Sequence, residues 1–224
     1  MSVLVTPPTL GDLLKYELNA NYCRETITLK AGTSYALGSV LGKIAVGAST
    51  SAAKAGGNTG DGTLTLDATT PVLTGAKLGV YTVRCTEAAT DGGTFEVQDP
   101  DGFVLGSVAV GATFADDIKL TIAAGDTDFI VGDGFDVTIA ASADSGRYTL
   151  SPATGIDGSE TAVAVLLQAV DATDADAVGL IAARGPVILS EAALVFDASV
   201  DDAAKGATKK AQLAAAGIVA RQTA

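Results

Sequence analysis

Gly79-Val80-Tyr81-Thr82-Val83-Arg84-Cys85-Thr86 is the stretch that decides the fold. Tyr81, Val83 and Cys85 alternate with Thr82 and Arg84, the period of two that lets a strand bury one face. Similar short runs lie on either side, at 63–66, 94–97, 104–108, 118–122, 129–131 and 135–140. Turn residues separate them. Asp99-Pro100-Asp101-Gly102 and Asp133-Gly134 stand between apolar runs and supply the φ values that tight turns need. Seven short strands at this spacing predict a small all-β, immunoglobulin-like sandwich over residues 56–142.

The texture changes at both ends of this region. Residues 49–62 are Ser, Ala, Gly, Thr, Lys, Asn and Asp, a linker composition, and 141–146 is again small and polar. Outside these linkers a different pattern resumes. Thr26-Ile27-Thr28-Leu29 and 40–46 read as strands around a turn at Ala31-Gly32; later, Tyr148-Thr149-Leu150 is strand-like, and 162–167 and 178–182 are apolar runs joined by an Asp-rich turn. Ser190 starts a short helix through Leu194. For the last helix, Ser199 is the expected N-cap, with Asp202 at its third position. Gly217 fits the left-handed position after the helix, where Ile218 can touch Leu213. Gly206 inside it costs about 1 kcal/mol relative to Ala, and its neighbours are mostly Ala.

One module is therefore interrupted by another, as insertions at loop tips allow. The expected boundaries are an arm at 1–20, a discontinuous domain at 21–55 and 143–224, and the insert at 56–142. The fold class is α+β, a small mixed α/β domain carrying an all-β sandwich. In the arm, Pro7-Pro8 follows the extended Val3-Leu4-Val5, and proline there blocks a helix. Such a segment is either a frayed tail or an arm that orders by pairing with a partner strand.

Composition excludes much chemistry. The 224 residues include no histidine, which removes the commonest general base and metal ligand. Gly56-Gly57-Asn58-Thr59-Gly60-Asp61-Gly62 lacks the Gly-Lys-Ser/Thr of a phosphate loop and reads as a flexible junction. Asp171, Asp174 and Asp176 lack the Gly and closing Glu of a calcium loop. Asp201-Asp202 stands at a helix start, where carboxylates offset exposed N–H groups. No enzyme, metal or cofactor is expected. A net charge of −12 repels phosphate, so neither nucleic acid nor an anionic membrane is an expected partner. Cys23 and Cys85 form no framework and are expected as free, buried thiols of a protein made in a reducing cytosol. The first residues lack a basic start and long apolar core, so export by the usual route is not expected. No apolar run reaches the length of a membrane span.

With the insert set aside, the outer segments resemble the lambda-type phage head decoration family. The resemblance is carried by Cys23-Arg24-Glu25-Thr26-Ile27-Thr28-Leu29 and Leu37-Gly38-Ser39-Val40-Leu41-Gly42-Lys43-Ile44. After the insert come Asp157-Gly158-Ser159-Glu160-Thr161-Ala162-Val163-Ala164-Val165-Leu166-Leu167, Val170-Asp171-Ala172 and Gln212-Leu213-Ala214-Ala215-Ala216-Gly217-Ile218-Val219-Ala220-Arg221. These pieces keep the family's order across 10–50 and 146–221. The resemblance implies a capsid decoration (cement) protein, a homotrimer that binds and stabilises the outer surface of the expanded phage head. It places the protein on the virion after synthesis in the host bacterial cytoplasm, with the major capsid protein as partner. By position, Val3, Leu4, Val5, Thr6 and Leu10 would be the capsid-binding arm. The alternative is a glycan- or receptor-binding module centred on the insert.

Overall fold

The computed structural model describes residues 7–73 and 75–222. The chain divides into two compact units, residues through Ala45 together with those from Asp144, and Val46–Ala143. The outer unit begins with α1 (Leu10–Leu13), β1 (Leu14–Glu17), α2 (Ala20–Cys23), β2 (Arg24–Leu29), β3 (Thr33–Tyr35) and β4 (Val40–Lys43). The inner unit supplies β5 (Val46–Ala53), β6 (Thr63–Leu66), β7 (Gly79–Ala89), β8 (Gly92–Gln98), β9 (Val104–Ala109), β10 (Thr113–Ala115), β11 (Lys119–Ala123) and β12 (Gly134–Ala141). The outer unit resumes with β13 (Tyr148–Leu150), β14 (Ala162–Leu166), β15 (Val170–Ala172), β16 (Ala177–Ala182) and β17 (Val187–Ser190). A 3-10 turn (Glu191–Ala193), α3 (Ala203–Ala215) and β18 (Ile218–Arg221) complete it.

Among the described residues there are eighteen strands and three α-helices, two of them four residues long. The fold is mostly β, which corrects the α+β expectation. Apart from α3 the α-helices are single turns, and the apolar runs of the outer unit pair as strands, so sheet outweighs helix. Strands β13-β2-β16-β14-β4 close a barrel; β1-β17-β18 and β15-β3 form two smaller sheets. The run 162–167 is apolar without alternation because both its faces are buried. Ala164 and Leu166 pack with Leu29, Leu41 and Ile181. Ala162, Val165 and Leu167 pack in a second core with Leu13, Val187, Leu189, Leu213 and Ile218.

The last helix starts later than the sequence suggests. Asp202, not Ser199, is the N-cap, and its carboxylate accepts the Lys205 N–H at 2.7 Å. Ser199 is occupied elsewhere: its hydroxyl donates to Asp197 and accepts from the Ala153 N–H at 2.8 Å. At the other end Gly217 takes a φ of 76°, and Leu213 and Ile218 share one core. Ser190 does precede a helical turn, but its side chain makes no cap bond.

Lys209 on α3 is buried. Its ammonium donates to Ser151 Oγ at 2.9 Å and to the carbonyls of Pro152 and Glu160. All three ammonium donors are thereby used, and α3 is tied to the β13–β14 connection. Burial pushes the Lys209 pKa down, opposed by the charges of Glu160 and Asp197. Lys209→Ala leaves three acceptors without a donor, and it should cost roughly 3 kcal/mol, read as a lowered urea midpoint. An unchanged midpoint would contradict this role.

In the inner unit the sheets are β5-β12-β7-β8-β9 and β10-β11-β6. Each buries one face. Tyr81, Val83, Cys85, Phe95, Val97, Val137 and Ile139 line the first, and Leu64, Phe114, Leu120 and Ile122 the second. The order is not that of an immunoglobulin domain, which groups its first, second, fifth and fourth strands in one sheet. Here the last strand, β12, lies between β5 and β7. Strand spacing records how many strands there are, not which sheet each one joins, so the immunoglobulin-like expectation fails.

Two further local expectations change. Residues 49–53 are not linker but part of β5, paired with β12 from Ala53↔Phe135 to Ser49↔Ile139. Main-chain pairing needs no large side chain, so Ser, Thr and Ala serve at this edge. Residues 129–131 are not a strand. Phe129 plugs the core from a loop, its ring edge-on to Phe95 at 5.0 Å and to Phe135 at 5.9 Å. A Cβ at Gly60 or Gly62 would fall 2.7 or 2.4 Å from that ring, so these glycines are required by close approach.

The glycine-rich segment is also tied down. The buried Asp133 carboxylate accepts N–H bonds from Thr59 and Gly60 at 2.9 Å and from Ile130 at 3.1 Å. Burial pushes the Asp133 pKa up, but the N–H groups of Gly60, Thr59 and Ile130 outweigh it and hold the carboxyl below its ordinary value. The Lys77 ammonium, 2.6 Å away, does the same for Asp99. Both groups therefore stabilise the fold above their unfolded pKa, near ~3.9, and lose that contribution as pH falls through the lowered folded values. The urea midpoint of the inner unit should be flat from about pH 8 to 5 and fall below about pH 4. A midpoint independent of acid would contradict this.

Candidate interaction surfaces

The concave features offer little chemistry. A depression of about 600 Å³ is lined by Glu87, Ala88, Ala89, Gly92, Gly93, Thr94, Ala109 and Val110, with one carboxylate and no second titratable partner. Among the described residues no group of three or more His, Cys, Asp or Glu could hold a metal ion. Cys23 and Cys85 are buried and free; burial pushes the Cys85 thiol up. The aspartates singled out in the sequence are turn and pairing residues. Asp171 accepts from Thr173, Asp176 pairs with Arg147 at 2.6 Å, and Asp201 pairs with Lys205 at 2.6 Å.

Of the expected arm residues, Val3, Leu4, Val5 and Thr6 lie outside the described residues. Leu10 is described, and it belongs to the folded unit. It opens α1 and packs with Leu14 against the core that holds Leu13. Thr9 caps this turn: its N–H donates to Asp12 at 2.7 Å and its hydroxyl to the same oxygen at 2.9 Å. The direction in which residues 7–9 enter the unit is thereby fixed. Residues 10–17, placed in the arm by the sequence, are instead α1 and β1.

Strand β1 leads to a surface that sequence reading missed. Tyr16 pairs with Ile188 on β17, and Ile188 with Val219 on β18. Paired residues share a face, so these three form an apolar row across the sheet. The opposite face carries Val187, Leu189 and Ile218, all in the core. The row is open at the β1 end, where Tyr16 is 48% and the following Leu18 58% exposed, while Ile188 and Val219 are half-buried. The Leu18 N–H donates to the exposed Pro186 at 3.2 Å. Arg221, two residues beyond Val219, is exposed on the same face.

Another exposed face belongs to α3. Ala204, Ala207, Thr208, Ala211, Ala214 and Ala215 are exposed, and a Cβ at Gly206 would meet nothing within 4 Å. In the inner unit, Leu78, Val80, Phe103 and Val104 are exposed, with the Lys77 ammonium 5.5 Å from the Phe103 ring centroid. Charge is uneven along the chain. Residues 46–143 hold thirteen Asp and Glu against four Lys and Arg, so most of the net −12 belongs to the inner unit.

No curated protein matches the chain. Two solved crystal forms of Xanthomonas campestris FlgL align with 24% and 23% identity and TM-scores of 0.31, over 47% of this chain. The chain spans 34% and 33% of their length, and at such a TM-score the likeness carries no argument. A family model gives a different result: that of the bacteriophage lambda head decoration protein D matches residues 3–218. The match begins before α1, runs through both halves of the outer unit and reaches β18. With this nearly end-to-end match, which takes in both parts of the interrupted barrel unit, the chain belongs to the bacteriophage lambda head decoration protein D family, structural proteins of the phage capsid.

Proposed function

We propose that this chain is a cement protein that seats as a homotrimer on the outer surface of the expanded phage head and stabilises it. Its partner is the major capsid protein. The observation that carries this reading is the family match from residue 3 to residue 218. Val3, Leu4, Val5 and Thr6 supply an extended arm that adds main-chain hydrogen bonds to a capsid sheet edge, and Pro7 and Pro8 end the pairing because they lack N–H donors. The small-residue face of α3 supports close packing between copies in the trimer. The free, buried thiols fit synthesis in the host cytoplasm. Residues 46–143 form a separate module carried on this scaffold.

The test is co-sedimentation with undecorated, expanded capsids, alongside the light-scattering mass of the free and capsid-released protein. Saturable binding and a trimer mass are expected. Failure to sediment with capsids at any concentration would contradict the proposal.

A further inference from the structure

We infer that the outward face of the β1-β17-β18 sheet seats on the capsid shell, on a partner surface that is apolar at its centre and acidic at its edge. This assignment rests on the decoration reading above. The face is built from Tyr16, Leu18, Pro186, Ile188, Val219 and Arg221. Tyr16, Ile188 and Val219 stand in register across all three strands, while the core needs only the other face. A three-stranded sheet that is apolar on both faces has one face more than its own core uses, and the exposed Tyr16, Leu18 and Pro186 beside the half-buried Ile188 and Val219 form an apolar patch of the kind that marks an interaction site.

Reach identifies the occupant. From Thr6 to Leu10 the chain spans at most about 14 Å, and α1 passes directly into β1. Whatever edge the arm pairs with therefore lies beside the start of α1, and the sheet face begins six residues further on, at Tyr16. A partner that holds the arm is close enough to cover this face as well. Charge supports the same occupant. Lys15 and Arg221 border the face, and among the described residues neither makes an ion pair. In a chain of net charge −12 this is a basic margin, suited to acidic groups on the shell.

The test uses the full chain with Tyr16→Asp and Leu18→Asp together, and separately Arg221→Glu. All three positions are exposed, so melting temperature and light-scattering mass should match wild type. Binding to expanded capsids should weaken at least about 30-fold for the double variant, an apolar-to-acidic change at the centre of the contact. For Arg221→Glu it should weaken about tenfold, with a shallower salt dependence. Should the double variant unfold, Arg221→Glu decides alone, and wild-type affinity for it would overturn the inference. Wild-type affinity in a folded double variant also overturns it. A double variant that becomes monomeric would make this face a contact between copies and equally overturn the assignment to the shell. Wild-type protein that ignores capsids would instead refute the decoration reading itself, and this inference with it.

Discussion

Deleting residues 2–8 should abolish capsid binding while leaving the melting temperature of the free protein within a few degrees of wild type. Residues 7 and 8 are exposed, so the core loses nothing that the described structure uses. The deletion must stop before Thr9, whose capping bonds to Asp12 fix α1. Extending it to residue 14 removes Leu13, fully buried, with the flanking Leu10 and Leu14 that pack on the same core. Even Leu13→Ala alone should cost about 2–5 kcal/mol, so the longer deletion should not fold. Calorimetry and capsid co-sedimentation on the two truncations separate arm from core. Wild-type affinity in the shorter truncation would remove the arm from the account.

Excising residues 46–143 should leave a protein that folds, trimerises and binds capsids, with its net charge reduced from −12 to about a quarter of that value. The geometry of the outer unit makes this a large but mild change. Lys43 pairs antiparallel with Tyr148, and Ile44 and Gly146 are joined by a 2.9 Å N–H bond. The chain thus leaves and re-enters at the open end of a β4–β13 pair, where an ordinary hairpin would have its turn. A short Gly-Asn-Gly bridge from Ala45 to Asp144 restores one. The excised piece should fold by itself, since its two sheets close a core of their own. Circular dichroism should report almost no helix in it. An insoluble bridged protein would mean that the two parts depend on one core.

How much of this was legible in the sequence depends on how local each signal is. Strands β6, β7 and β13 could be read because alternation and flanking turns lie within a few residues. The left-handed Gly217 was legible for the same reason. Barrel closure was not, because it depends on Tyr148 meeting both Leu29 and Lys43, partners that no local pattern names. Lys209 reads as one more surface cation on an Ala-rich helix; only the fold brings the oxygens of Ser151, Pro152 and Glu160 around it. The outward sheet face is hidden in the same way. Tyr16, Ile188 and Val219 come from three separate segments, and register alone puts them in a row. Small-residue composition misled at β5, where Ser and Ala looked like linker but pair as a strand. The expected arm ran through residue 20, yet Leu10 and Leu13 belong to the folded unit; an apolar residue near the start of a chain carries no local sign of what the fold gives it to touch.

The most direct test of the decoration role is electron cryo-imaging of expanded, undecorated capsids mixed with the purified full chain. The account predicts new density at threefold and quasi-threefold points on the outer surface, one trimer at each, with a segment from every copy joined to the shell. Capsids that stay bare at saturating protein, or that carry density without threefold symmetry, would contradict it.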